Sequence, residues 1–197
     1  MKTFERGFQL LDLTVALAVI ALVATLAAPP LDRMVRGLRL REAASELVGA
    51  LRLAKSFAVR YSANVAVRFR SERGIVTFAI YRDGDGDGVR NADIASGRDP
   101  LVQTIHRLAG TGFGLRFGFP PKIVPRDPSD PRRPLDRLDD PIRFNDSDLA
   151  SFDPLGGATP GSLYLTDGAT GLAAVRVLSR SGRVRVLLYD AATRLWH

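Results

Sequence analysis

The chain has 197 residues, 46% of them hydrophobic, and carries 28 Lys plus Arg against 21 Asp plus Glu for a net charge of +7. That length holds one domain plus an anchor, the apolar content supports a sizeable core, and the positive balance permits a polyanion or anionic lipid as partner. With no cysteine and only two histidines, His106 and His197, the chain excludes disulfides, thiolate metal sites and cysteine nucleophiles. A zinc enzyme or a serine–histidine triad would have to use His106, which in "QTIHRL" reads as strand surface. No convergent set of acid, base and nucleophile is visible, so the chain is read as a non-enzyme.

The first element is apolar. Lys2 and Arg6 precede a run from Phe8 to Ala28 whose only polar side chains are Gln9, Asp12, Thr14 and Thr25. Its 21 residues would span about 30 Å as a helix, the thickness of a hydrocarbon core. Asp12 is the anomaly, because a charged aspartate at a bilayer centre costs roughly 2.5–3.5 kcal/mol. Three readings compete. A cleaved secretory signal leaves an acid in its apolar core and has Pro29 close behind the only small-residue cut site. A plain anchor fits the length but leaves Asp12 unexplained. Its orientation is not settled by charge either, because Arg33, Arg36, Arg39 and Arg41 crowd the far side against the positive-inside rule. The third reading cuts the chain before the run, between Gly7 and Phe8.

The residues "RGFQLLD" resemble the processing site of type IV prepilins and type II secretion pseudopilins. That resemblance implies a basic leader ending at Gly7, cleavage by a prepilin peptidase, N-methylation of Phe8 as the new N-terminus, and an acid four residues later, here Asp12. The family carries a proline just after the apolar run, and Pro29 falls there. Cleavage would leave a positive amine on Phe8, one helical turn from Asp12, whose carboxylate also lies where the helix dipole favours an anion. In the family the acid pairs with the terminal amine of a neighbouring subunit, and a paired buried charge can roughly break even where a lone one cannot. Here aspartate stands in place of the usual glutamate and is one methylene shorter.

From Leu31 to Ser62 apolar residues recur at Met34, Leu38, Leu47, Leu51, Ala54 and Ala58, mostly three or four apart. This predicts an amphipathic helix. Its charged face holds Arg33, Arg36, Arg39, Arg41, Arg52, Lys55 and Arg60, and Pro29 and Pro30 should kink its start. After Ser62 the period changes. "NVAVRFR", "GIVTFAIYR", "LVQTIHRL", "GLRFGF", "SLYLT", "AAVRVLS" and "RVRVLLYD" are short, largely alternating and rich in β-branched or aromatic residues, which predicts an antiparallel β domain. "SRSGRV" reads as the hairpin turn joining the last two strands. "PPKIVPRDPSDPRRPLDRLDDP", residues 120–141, holds seven of the twelve prolines and balances five basic against five acidic residues; it is expected to be an exposed, mobile loop.

Two stretches look like sites. "DGDGDGVRNADI" alternates Asp83, Asp85 and Asp87, turns at Gly88 and continues to Asn91 and Asp93. Its start matches the opening of a calcium loop, in which alternating oxygens wrap one hard cation. The twelfth position, however, is Ile94 rather than an acid, and strands rather than helices flank the stretch. The competing expectation is an acidic turn between strands. "GRVR" puts Arg183 and Arg185 on one strand face, with Arg176 and Arg180 able to extend the patch. Such a face is read first as a solvated strand face, open to a polyanion through electrostatics alone.

The order of parts, with "LRLAKSFAVRYSANVAVRF" and "GSLYLT" through "VLSRSGRVRV", resembles the GspH/FimT-like family of minor pilins and pseudopilins. The resemblance implies an α+β fold with a long N-terminal helix, transmembrane in its first half, on an antiparallel β domain. The parts are then a leader, 1–7; the membrane half of the helix, 8–28; its amphipathic half, 29–62; and a periplasmic β domain, 63–197. It also implies a single-pass inner-membrane subunit with a cytoplasmic N-terminus. The expected role is that of a minor pseudopilin near the tip of a short periplasmic filament of type II secretion, helping to initiate assembly, with other pseudopilins as partners. The alternative is a FimT-type minor pilin that binds DNA through its basic C-terminal patch.

Overall fold

The computed structural model describes residues 4–178 and 181–197, with side chains at all of these except 4–9 and 26–30. Contacts divide the chain into two units, Met1–Gly37 and Leu38–His197. One helix, α1 (Phe4–Tyr61), contributes to both, and its assignment continues through Pro29 and Pro30.

In the first unit the described apolar side chains of α1, from Leu10 to Val23, are exposed. Two hydroxyls on this stretch are satisfied within the helix: Thr14 and Thr25 each donate to a carbonyl three residues back, at 2.8 Å. Arg36 donates to Asp32 one turn earlier. Among the described residues no helix is long and apolar enough to cross a membrane.

In the second unit α1 buries a stripe. Leu40, Ala43, Ala44, Leu47, Leu51, Ala54 and Ala58 are all buried, at the three-to-four spacing of one helix face. The stripe thus starts later than the sequence pattern suggested, because Met34 and Leu38 are exposed. It packs on two antiparallel sheets. The first has the order β3-β2-β1-β6, from β1 (Val65–Glu72), β2 (Ile75–Arg82), β3 (Leu101–Arg107) and β6 (Leu149–Phe152). The second runs β10-β9-β8-β7-β4, from β4 (Arg116–Phe117), β7 (Gly161–Thr166), β8 (Leu172–Leu178), β9 (Arg183–Asp190) and β10 (Leu195–Trp196). In addition β5 (Ile142–Arg143) pairs with β7.

Alternation decides which side chains meet the helix. Val65, Val67 and Phe69 of β1, Val76, Phe78 and Ile80 of β2, Leu163 and Leu165 of β7, and Ala173, Val175 and Val177 of β8 join the α1 stripe in one core. Phe69 couples the sheets, edge-on to Phe117 at 6.0 Å and stacked on Phe144 at 6.1 Å. Every strand expected from the sequence forms. The short β5, β6 and β10 and the six-residue α2 (Asn91–Ser96) were not expected, because they follow from pairing and capping rather than from any periodicity.

The outer face of the second sheet has its own small core. Tyr164, Leu172, Ala174 and Tyr189 are buried there under Leu135, with Phe119, Ile123, Leu187 and Trp196 around them. The roof is the proline-rich stretch. Its Pro125–Asp127 and Arg133–Leu135 segments pair antiparallel (Asp127 N–H to Arg133 C=O, 2.9 Å; Leu135 N–H to Pro125 C=O, 2.8 Å). The result is a finger with Pro128–Arg132 at its tip. Trp196 Nε1 donates to the Arg126 carbonyl at 2.7 Å. Arg143 holds the following turn through Asp136, Arg137 and Asp140 while its guanidinium lies 5.1 Å from the Tyr164 ring centre.

Candidate functional site

Two clusters of like charge lie in the second unit. The acidic one follows β2. Asp83 is only 6% exposed and its carboxylate is fully engaged. Oδ1 accepts the backbone N–H groups of Asp85 and Gly86, and Oδ2 accepts the Gly88 N–H and Asn64 Nδ2, at 2.7–3.2 Å. Burial alone would push its pKa up, but these bonds to the charged form outweigh burial and hold it below the ordinary value. Asp99, which the sequence did not single out, is buried beside it and caps the loop from the other end by accepting the Gly84 and Arg90 N–H groups. Gly84 is required at this crossing: a Cβ there would sit 2.0 Å from the Arg98 carbonyl oxygen.

The sequence grouped five residues as cation ligands. The structure brings Asp83, Asp85 and Asp87 together, with one carboxylate oxygen of each within 4.8 Å of the others. Asp93 is outside that group of carboxylates. Asn91 opens α2, and Asp93, buried in α2, pairs with Arg98 at 2.7 Å. Arg98 also reaches Asp85 at 3.5 Å, and Arg90 pairs with Asp87. Partial burial and the Asp85 carboxylate push the Asp87 pKa up, against the pull of Arg90. An open polar cleft of about 720 Å³ borders the loop, lined by Asn64, Asp87, Arg90, Asn145, Asp153 and Thr159 among others.

The basic cluster lies on the outer face of β8 and β9. Register places Arg176 directly opposite Arg185, and Leu178 opposite Arg183, so all four share one face, while Val184 and Val186 pack against the main core. Like charges directly opposite on a strand pair are destabilising, yet among the described residues neither Arg176, Arg183 nor Arg185 has a carboxylate partner. Arg176 Nη2 donates to the Ser129 hydroxyl of the finger at 2.7 Å, while its buried Nε has no partner. The turn between the strands is held from the helix side, where Lys55 Nζ donates to the Ser181 carbonyl at 2.7 Å. Gly182 adopts φ +64° there, a conformation glycine takes without strain. Neither Lys55 nor Ser129 carried a sequence signal, since both act through long-range contacts.

The expected processing residues Gly7 and Phe8 lie outside the described side chains. Asp12 is exposed on α1 amid exposed leucines and valines.

The profile of the family described as type II transport protein GspH matches residues 43–182. The chain belongs to the GspH family. The match begins on the buried stripe of α1 and takes in both sheets as far as the β8–β9 turn. The GspH family is a structural pseudopilin family rather than an enzyme family, and membership gives the chain a general pseudopilin role in type II transport. Neither curated proteins nor solved structures yield a match to this GspH-family chain.

Proposed function

We propose that this chain is a minor pseudopilin of a type II secretion system, a structural subunit near the tip of a short periplasmic pseudopilus that helps initiate its assembly and so protein export. The observation that carries this reading is the family match over residues 43–182. It is supported by an α1 that continues N-terminally into an exposed apolar stretch interrupted by Asp12. A prepilin peptidase cuts between Gly7 and Phe8, Phe8 is methylated, and α1 roots the subunit in the inner membrane, with the β domain in the periplasm. Asp12 then pairs with the terminal amine of a neighbouring pseudopilin, which offsets the cost of an acid in lipid. The test is mass spectrometry of the chain from host membranes, together with crosslinking to other pseudopilins. A mature chain starting at methylated Phe8 is expected, with crosslinks lost in Asp12→Ala. A chain that still starts at Met1 or begins after residue 28 would sink the reading.

One observation favours a second reading, that of a FimT-type minor pilin acting on DNA: the un-neutralised pairing of Arg176 with Arg185. Arginine forks suit phosphate oxygens, and such contact is salt-sensitive and indifferent to sequence. A shift of duplex DNA that Arg183→Ala plus Arg185→Ala abolishes would support it.

A further inference from the structure

The loop between β3 and β4, residues 108–115, is built to hold one ring in solvent. Leu108 and Leu115 at its ends are buried in the main core. Between them the Thr111 hydroxyl, in a buried residue, donates to the Leu108 carbonyl at 2.6 Å, and the Ala109 N–H donates to Glu46 of α1 at 3.0 Å. Gly114 turns at φ +91°, where a Cβ would sit 2.8 Å from the Asp167 carbonyl oxygen. The Phe113 N–H donates to the Gly110 carbonyl at 3.1 Å, yet its side chain is 67% exposed, more than any other Phe, Tyr or Trp among the described residues. Three arginines stand around it. The Arg39 guanidinium lies 4.5 Å from the ring centre, Arg107 Nη2 donates to the Thr111 carbonyl at 3.2 Å, and Arg116 opens β4 just after Gly114. Among the described residues none of the three has a carboxylate partner.

We propose that this loop docks on an anionic lipid surface, with Phe113 entering the boundary between headgroups and acyl chains and Arg39, Arg107 and Arg116 meeting lipid phosphates. The inference rests on the reading that α1 roots the subunit in the inner membrane, and it adds a contact that the β domain makes for itself. An apolar ring set among cations is the chemistry of an interfacial anchor, and guanidinium groups without counter-ions complement an anionic headgroup layer. A protein partner is less well served. Protein hot spots cluster several apolar anchors in a desolvated centre, whereas Leu108 and Leu115 are spent on the main core and Phe113 stands alone among charges. Chain order agrees, since only residues 29–38 separate the apolar run from Arg39. On the membrane reading that run ends at the lipid surface, so a short tether brings this face to the headgroups.

The chain has no cysteine, so Ala109→Cys or Leu155→Cys carries a single fluorophore and leaves Phe113 in place. Leu155, 98% exposed, is the reference, because its neighbour Gly156 lies against Lys55, about 24 Å further along α1 than Arg39. The full chain is placed in nanodiscs of phosphatidylcholine, with or without phosphatidylglycerol, that include a lipid with a nitroxide at its headgroup. With phosphatidylglycerol present, the nitroxide is expected to quench the Ala109→Cys probe and spare the Leu155→Cys probe. Phe113→Ala, and separately Arg39→Ala plus Arg116→Ala, should bring the first to the level of the second while Trp196 emission stays unchanged. Salt at roughly 1 M, where charges are screened beyond about 3 Å, should weaken the quenching as well. If the two probes are quenched alike in discs that hold the chain, the inference falls and the pseudopilin reading stands. It falls too if quenching survives Phe113→Ala or needs no phosphatidylglycerol, since the tether alone then explains it. If the chain does not enter the discs, both fall. A photo-crosslinker in place of Phe113 that captures another pseudopilin and no lipid in host membranes would overturn lipid as the occupant.

Discussion

The acidic loop and the arginine ladder are each a run of one charge on a β framework, yet they solve their electrostatics in opposite ways. The loop closes on itself. Four donors meet the Asp83 carboxylate, two meet Asp99, and Arg98 and Arg90 take up Asp85, Asp93 and Asp87. The ladder stays open, with Arg176 set against Arg185 and a buried nitrogen unpartnered. Charge density alone therefore does not mark a binding surface. Satisfied charges build a turn, while unsatisfied ones leave like charges facing each other across the strands.

The largest effect should come from breaking the closed cluster. Asp83→Ala strands three backbone N–H groups and Asn64, and a loss of about 3 kcal/mol is expected. For a chain of this size that means a melting temperature lower by roughly 6–12 °C, read by the emission of the single tryptophan, Trp196. An unchanged melting temperature would mean that the loop is not held from within.

The pH dependence sharpens the same point. Because the Asp83 pKa is depressed in the folded state, its contribution is fully present above the ordinary carboxylate range, near pH 4. It is lost as pH falls through the lower folded value. The stability gap between the unaltered chain and Asp83→Asn should be constant at neutral pH and close in acid. Asp87, whose pKa is raised, should behave oppositely, with Asp87→Asn no less stable than the parent at pH 7.

Arg98→Ala comes next. It leaves the buried Asp93 carboxylate without its 2.7 Å partner, and a loss of about 1–2 kcal/mol is expected in the same assay. The open cluster should respond with the other sign. Arg185→Glu replaces a like-charge pair by an opposite one across from Arg176, with a gain of about 0.5 kcal/mol and, on the second reading, loss of DNA affinity. Smallest of all is the response to calcium. With the Asp83 oxygens already occupied by N–H donors, millimolar calcium should leave the melting temperature within about 1 °C, since a cation that binds only the folded state stabilises it through RT ln(1 + [L]/Kd). A larger rise would reopen Asp83, Asp85 and Asp87 as a cation site and break the comparison.

Much of this architecture was legible in the sequence, because it depends on local periodicity. Alternation in "VAVRFR" and "IVTFAIYR" fixes which residues face inward whatever lies opposite them, and a three-to-four repeat from Leu47 to Ala58 does the same for α1. The Gly-Arg turn was visible because only a tight turn separates two strands of matching pattern. The start of the helical stripe was not, since exposure of Met34 and Leu38 depends on where the sheets end. Composition marks the proline-rich stretch as an exposed loop, while its pairing as a finger depends on contacts composition does not show: Leu135 packs onto the outer core, and Trp196 and Arg143 reach the stretch from elsewhere in the chain.

What the sequence determined by itself is the succession of a long helix and an antiparallel β domain, the inward faces of helix and strands, and the positions of both charged runs. These follow from chemistry within a few residues of each other. Only the tertiary structure decided that one charged run is neutralised and the other is not. That outcome turns on partners such as Asn64, Asp99 and Ser129, and on the register that sets Arg176 opposite Arg185. Electrostatic energy depends on distance in space, and spacing along the chain does not encode it.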